Sequence, residues 1–248
     1  MAGGVLAVPA AYGWWQRNEL TRLALTTREN EAVELSAAAV RDPETCVLTP
    51  EQVEGPFFFK APVRRDIRED RKGLPLSLQL DVVRADGCTP VPKALVEIWH
   101  CDAEGRYSGY PENLSRRPLD TMLFIGRSGE HVDAVNAKTY LRGAQVTDAQ
   151  GHVAFDTIFP GWYEPRVTHI HVKVFLEDVS YLTTQLYFRD EFVNEIYGRH
   201  GAYVPHGRAP YRHTNDVVLS AHPDGNGLLL APEEDQRGLT ATGRLALA

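Results

Sequence analysis

From residue 74 onward the chain runs in short stretches of alternating apolar and polar positions. Leu76, Leu78, Leu80 and Val82 are separated by Ser77, Gln79 and Asp81, the period-two pattern of a half-buried strand. Ala85-Asp86-Gly87 is the turn signal that ends this run. Residues 94–100, 140–147, 152–159, 168–176 and 182–188 form similar runs rich in Val, Ile, Leu, Thr and aromatic residues. Asp148-Ala149-Gln150-Gly151 reads as a short hairpin connection between two of them. Residues 216–221 and 228–231 read as the last strands, and 237–248 as an edge strand or a free tail. Regular short strands with little helix between them predict a mainly β fold, an antiparallel β-sandwich.

The pattern before residue 43 is different. Leu20, Leu23, Ala24, Val33, Leu35, Ala38 and Ala39 recur at helical spacing among Arg, Glu and Asn. One or two helices are expected over 14–42, packed on the sheet domain or on a second subunit of a homodimer. The chain therefore divides into a helical extension over 1–47 and a sandwich domain over 48–248. A short helix is expected over 190–197. The long connection over 111–138 has the length of a lid or binding loop. Thr49-Pro50 and Glu54-Gly55-Pro56 break regular structure just before Phe57-Phe58-Phe59, three aromatic rings that need burial or line something.

Composition narrows the partners. A net charge of -7 over 248 residues argues against nucleic acid or an anionic membrane. No run approaches the length of a membrane span. The first positive charge is Arg17, so the N-terminus lacks the basic region of a secretory signal. A cytoplasmic protein is expected, with a mature secreted chain as the alternative. The three cysteines, Cys46, Cys88 and Cys101, do not make a disulfide framework. A bridge between Cys88 and Cys101 and free buried thiols are both compatible with their spacing, the thiols being favoured in the cytoplasm.

The informative chemistry lies in 161–174. His169 and His171 fall on one face of a strand, with Ile170 and Val172 on the other. Two imidazoles so spaced can share a metal ion; the pair alone equally fits two solvent-facing histidines. Tyr163 precedes the pair across the Pro160-Gly161 turn, with Arg166 between. A phenol with a pKa of about 10 ligates well only to a strongly Lewis-acidic ion, which suits ferric iron better than zinc.

Pro160-Gly161-Trp162-Tyr163, Arg166 and His169-Ile170-His171 together resemble the iron signature of the intradiol ring-cleavage dioxygenases. Two further stretches carry the same resemblance. Thr49-Pro50, with Glu54-Gly55-Pro56-Phe57, is similar to the segment that crosses the substrate pocket in that family. Ile98-Trp99-His100-Cys101-Asp102-Ala103, followed by Gly105 and Tyr107-Ser108-Gly109-Tyr110, is similar to the motif supplying a tyrosinate ligand. The resemblance implies non-haem Fe(III) held by Tyr107, Tyr163, His169 and His171, with Tyr110 as the alternative to Tyr107. It implies a catechol-type substrate, cut with O2 between its two hydroxylated carbons to a muconate-type diacid. Tyr163 is the ligand expected to leave and take a catechol proton. Arg166 is expected to stabilise negative charge on the ring, in contrast to a surface arginine paired with Glu164. Gln185 matches a family position near the iron. Pro56, Phe57 and Trp162 are expected beside the substrate, and His100 is read as structural. The Tyr163-to-His169 spacing is similar to that of the compact branch of the family, and Glu164-Pro165 departs from relatives with a small residue there. Two rival readings are a zinc or ferrous enzyme completed by a carboxylate or third histidine, and a non-catalytic aromatic-binding module.

Overall fold

The computed structural model describes residues 46–111, 133–216, 218–219 and 228–248. The expected helices over 14–42 and most of the loop over 111–138 lie outside the described residues. Nine strands form two sheets, and one helix is present among the described residues. The strands are β1 (Pro75–Arg84), β2 (Leu95–Trp99), β3 (Arg142–Val146), β4 (His152–Ile158), β5 (His169–Leu176), β6 (Val179–Phe188), β7 (Leu228–Leu230), β8 (Glu233–Asp235) and β9 (Gly238–Leu247). The helix, α1, spans Asp190–Arg199.

One sheet has the order β4-β1-β9-β8 and the other β3-β2-β5-β6-β7. The alternation of β1 buries Leu76, Leu78, Leu80 and Val82 against Val96, Ile98, Ile170, Val172 and Val174 of the second sheet. These inner faces make the main core of a β-sandwich. The second sheet also buries much of its outer face, where β5 carries His169 and His171.

Three connections differ from the reading of the sequence. The sheets are mixed, because β9 runs parallel to β1 and β7 parallel to β6. The 237–248 segment is not an edge: β9 lies between β1 and β8, and the small strand β8 takes the edge. Asp148–Gly151 is a tight turn, but it joins strands of different sheets rather than a hairpin, since β3 pairs with β2 and β4 with β1. Local turn chemistry is the same for both connections, so the sequence alone does not tell them apart. The expected strand over 216–221 is also absent among its described residues. There Asp216 Oδ1 accepts the amides of Val218 and Leu219, at 2.8 and 3.0 Å, and curls the chain into a turn.

The cysteines pair differently too. Cys46 is bonded to Cys88, and Cys101 is the buried free thiol. The bridge joins residues 42 apart and ties the start of the described chain to the turn after β1. Constraining a loop of 42 residues is worth about 4 kcal/mol in the chain-entropy description. Reductant, or Cys88→Ser, is therefore expected to lower the melting temperature clearly, and an unchanged melt would remove this bridge from the native protein.

His100, just after β2, is fully buried. Its Nδ1 donates to the carbonyl of Cys101 at 2.8 Å, and Nε2 meets Thr157 Oγ1 at 2.7 Å. Burial holds its pKa down at about 4, against about 6.5 in an unfolded chain. The unfolded chain thus takes up this proton first as pH falls. Stability from neutral His100 is full above pH about 6.5 and drains toward pH about 4, by on the order of 3 kcal/mol. His100→Gln should flatten the fall in urea midpoint across that window; an unaltered slope would assign the acid sensitivity elsewhere.

Candidate metal centre

Strand geometry sets the first half of the site. Ile170, Val172 and Val174 anchor β5 in the core, so His169 and His171 emerge together on the opposite face, each about 1% exposed. His169 Nδ1 lies 2.6 Å from the carbonyl of Val167. That bond places the proton on Nδ1 and leaves the Nε2 lone pair free. The two Nε2 atoms face each other at 3.0 Å. Trp99, the cross-strand neighbour of His171, stacks on its ring at 4.8 Å with an interplanar angle of 2°.

Two loops bring the phenols. Tyr107 sits on the loop after β2, where Asp102 Oδ1 accepts the amides of Glu104 and Arg106, both at 3.0 Å. Arg142 of β3 donates to Ser108 Oγ at 2.8 Å and to its carbonyl at 3.1 Å. Tyr163 sits on the turn before β5, closed by the Arg166 amide on the Tyr163 carbonyl at 2.7 Å. The two loops hold each other, since the Gly161 amide donates to the Asp102 carbonyl at 3.1 Å and Cys101 Sγ to the Gly161 carbonyl at 3.4 Å. A Cβ on Gly161 would lie 2.5 Å from the Asp102 carbonyl oxygen, so only glycine permits this approach. α1 braces the turn: Tyr197 Oη donates to the Pro160 carbonyl at 2.9 Å and also meets Thr168 Oγ1.

The result is that Tyr107 Oη and Tyr163 Oη lie 3.4 and 3.5 Å from His169 Nε2. Tyr110, the alternative to Tyr107, packs instead against Phe57 and Phe59, with its hydroxyl 3.5 Å from the Phe58 carbonyl. Burial, then the Arg166 charge, hold both imidazoles well below the usual histidine range. Burial pushes Tyr107 well up and Tyr163 up to about 12, with Arg166 opposing the shift at Tyr163. The donors are therefore two neutral imidazoles and two phenols whose ionisation requires a strong cation beside them.

Arg166 is buried and faces Asp216, not Glu164. Its Nε donates to the two Asp216 oxygens at 2.9 and 3.2 Å. Its Nη2 donates to Gln185 Oε1 at 2.6 Å and to Tyr187 Oη at 3.3 Å. Burial works against this charge, but Asp216 and the neighbouring phenols outweigh it and keep the guanidinium protonated. Gln185 lies opposite His171 in the β5–β6 register. It orients Arg166 with its oxygen, and its Nε2 donates to the Val53 carbonyl at 2.9 Å.

The segment from Thr49 to Ala61 crosses this face as a strap. The Gln52 amide donates to the Thr183 carbonyl at 2.8 Å, and Glu54 pairs with Lys173. Gly55, with φ +76°, passes so close that a Cβ would lie 3.3 Å from His171 Cε1. Half-buried Pro56 follows, and the Phe57 ring stacks on Tyr107 at 4.7 Å and meets Tyr163 edge-on at 6.1 Å. Trp162 turns elsewhere: its ring packs on His206 and Tyr211, and its Nε1 donates to the Gly207 carbonyl at 3.0 Å.

Asp216, Tyr187, Gln52 and Trp99 were not singled out from the sequence. Asp216 is 50 residues from its arginine, and no spacing rule connects them. Trp99 alone had a usable signal, since it precedes the Tyr107 loop on a strand end. Among the described residues no group of three or more His, Cys, Asp or Glu could hold a metal. The donors that converge are nitrogen and phenol oxygen, and the carboxylate nearby, Asp216, is engaged by Arg166. This set fits a hard trivalent ion better than zinc or ferrous iron, which favour a third histidine or a carboxylate.

A family model described as "Dioxygenase" matches residues 49–197. The intradiol ring-cleavage dioxygenase from Tetranychus urticae has a similar structure, with a TM-score of 0.70 at 28% identity over 82% of this chain and 94% of that one. In sequence, chlorocatechol 1,2-dioxygenase from Pseudomonas sp. (strain P51) is 28% identical over 63% of this chain and 59% of its own length. The protocatechuate 3,4-dioxygenase beta chain of Burkholderia cepacia is 33% identical over 51% of this chain and 52% of its own length. The chain spans about half the length of the curated relatives it matches. It belongs to the intradiol ring-cleavage dioxygenase family, for which iron is the expected metal.

Proposed function

We propose that the chain is a non-haem Fe(III) dioxygenase that opens a catechol-type ring between its two hydroxylated carbons. The observation that carries this reading is the convergence of two phenols on two neutral histidines, beside a fixed guanidinium. Tyr107, Tyr163, His169 and His171 would hold the ion. Ferric iron, when bound, supplies the Lewis acidity that ionises phenols and draws electron density from a catecholate ring.

The chain's own residues supply the rest. Tyr163 Oη, on the turn before β5 and 3.5 Å from His169 Nε2, is the group suited to take a proton from the incoming catechol. Arg166 offers a positive charge, fixed before reaction, to negative charge developing on the ring. Gly55, Pro56 and Phe57 roof the site and exclude water from it. One carbon–carbon bond breaks, and both atoms of O2 end in the two new carboxyl groups of the diacid.

The first test is the visible spectrum of the iron-loaded protein before and after anaerobic catechol. A tyrosinate-to-iron band that moves to longer wavelength is expected, and it should weaken in Tyr107→Phe. Admitting air should then release a muconate-type diacid with both atoms from ¹⁸O2. A protein that stays colourless after loading with Fe(III) would remove the tyrosinate–iron centre.

The disulfide also bears on location. A Cys46–Cys88 bridge is at home in an oxidising compartment, which favours the secreted alternative over the cytoplasm. No helix among the described residues is long and apolar enough to cross a membrane. The dimer through residues 14–42 is tested by chain truncation: a variant starting at Leu48 that keeps the native oligomeric state would count against it.

A further inference from the structure

We infer that Asp216 is a positioning residue for ring cleavage, fixing the Arg166 guanidinium toward the site and acting on the reaction only through that arginine. The inference rests on the function proposed above. Asp216 is fully buried, and both of its oxygens are occupied. Oδ2 accepts from Arg166 Nε at 2.9 Å and from the Val167 amide at 2.8 Å. Oδ1 accepts from Arg166 Nε at 3.2 Å and from the amides of Val218 and Leu219 at 2.8 and 3.0 Å. A carboxylate held by three backbone amides cannot follow a moving side chain. It is itself a fixed point.

On the far side of the guanidinium, Nη2 is gripped by Gln185 Oε1 and Tyr187 Oη, and Tyr187 Oη donates on to Gln52 Oε1 at 2.9 Å. Gln52 belongs to the strap that roofs the site. Held on Nε and Nη2, the planar guanidinium has one orientation, and Nη1 is its one nitrogen without a partner among the described residues. That orientation is what a developing ring charge requires, because a preset dipole or charge need not reorganise during reaction. Stability alone is a poor reason for the pair, since a buried ion pair often does no better than a well-packed apolar one.

The experiment compares Asp216→Asn, Arg166→Gln and the double variant. Asp216→Asn keeps the size of the side chain and removes the charge. Expected is a fall of about 10- to 100-fold in kcat, with KM for catechol little changed and iron content retained. In the Arg166→Gln background the same change should cost almost nothing more, because its only route of action is gone. A residue that merely holds the 216–219 turn would instead lose activity by the same factor in both backgrounds, and that result would overturn the inference.

A second readout uses the wild-type protein and needs no turnover. In ¹⁵N spectra the Arg166 Nε–H, assigned through its loss in Arg166→Lys, should exchange slowly with solvent. Fast exchange would overturn the inference even if Asp216→Asn failed to fold. If the wild-type protein does not cleave catechol yet shows the protected Nε–H, the guanidinium is fixed but the proposed function fails, and the role in ring cleavage fails with it. Normal cleavage by the wild-type protein with an unchanged kcat in Asp216→Asn keeps the proposed function and overturns the inference alone.

Discussion

His169→Ala is expected to abolish ring cleavage and to take iron content close to zero, while the sandwich stays folded. His169 Nε2 is the atom on which the site converges, 3.0 Å from His171 Nε2 and 3.4 and 3.5 Å from the two phenol oxygens. Its ring is fixed by the bond from Nδ1 to Val167 and is already neutral, so it binds a cation with little reorganisation. Without it the phenols would have to ionise in a buried site with one imidazole to help, and burial works against that. The strand itself does not depend on the ring, because Ile170, Val172 and Val174 hold β5 in the core. The check is metal content by elemental analysis, the visible band, and the far-UV circular dichroism of the same sample. Stoichiometric iron with an intact band in the variant would mean that the ion is held by other residues.

Arg166→Gln is expected to lower kcat by about 10²- to 10³-fold, the cost of losing a preset charge at a developing anion. The amide keeps some hydrogen-bonding capacity but no charge. Asp216 would be left as a buried carboxylate without its counter-ion, so a loss of about 3–5 kcal/mol in stability should accompany the kinetic effect. The two effects are separable, since iron content and the tyrosinate band report on the proposed ligands, Tyr107, Tyr163, His169 and His171, and Arg166 is not one of them. Steady-state kinetics on folded, iron-replete protein decide the matter. A variant with native kcat would reduce Arg166 to a structural ion pair.

The alternation in β1 and β5 makes the sandwich legible in the sequence, because a strand with one face in a core must repeat apolar residues at every second position. Leu76, Leu78, Leu80 and Val82 on one strand, and Ile170 and Val172 on another, are buried as that rule requires. The same period put His169 and His171 side by side, and the motif around Tyr107 pointed to the loop that meets them. The mixed pairing was hidden. Whether 237–248 lies at an edge or beside β1 depends on which strand arrives on its other side, and nothing local to β9 encodes that.

The sequence by itself determined the strand faces and set His169 and His171 side by side, since both follow from the strand period; Tyr107 was reached through a motif's resemblance. Only the tertiary structure decided that Cys46 meets Cys88, that Asp216 rather than Glu164 faces Arg166, and that Gly55 carries the strap across His171. These contacts join residues far apart in the chain. Hydrogen bonds and ion pairs depend on distance in space, and spacing along the chain carries no record of it once the chain has turned between two sheets.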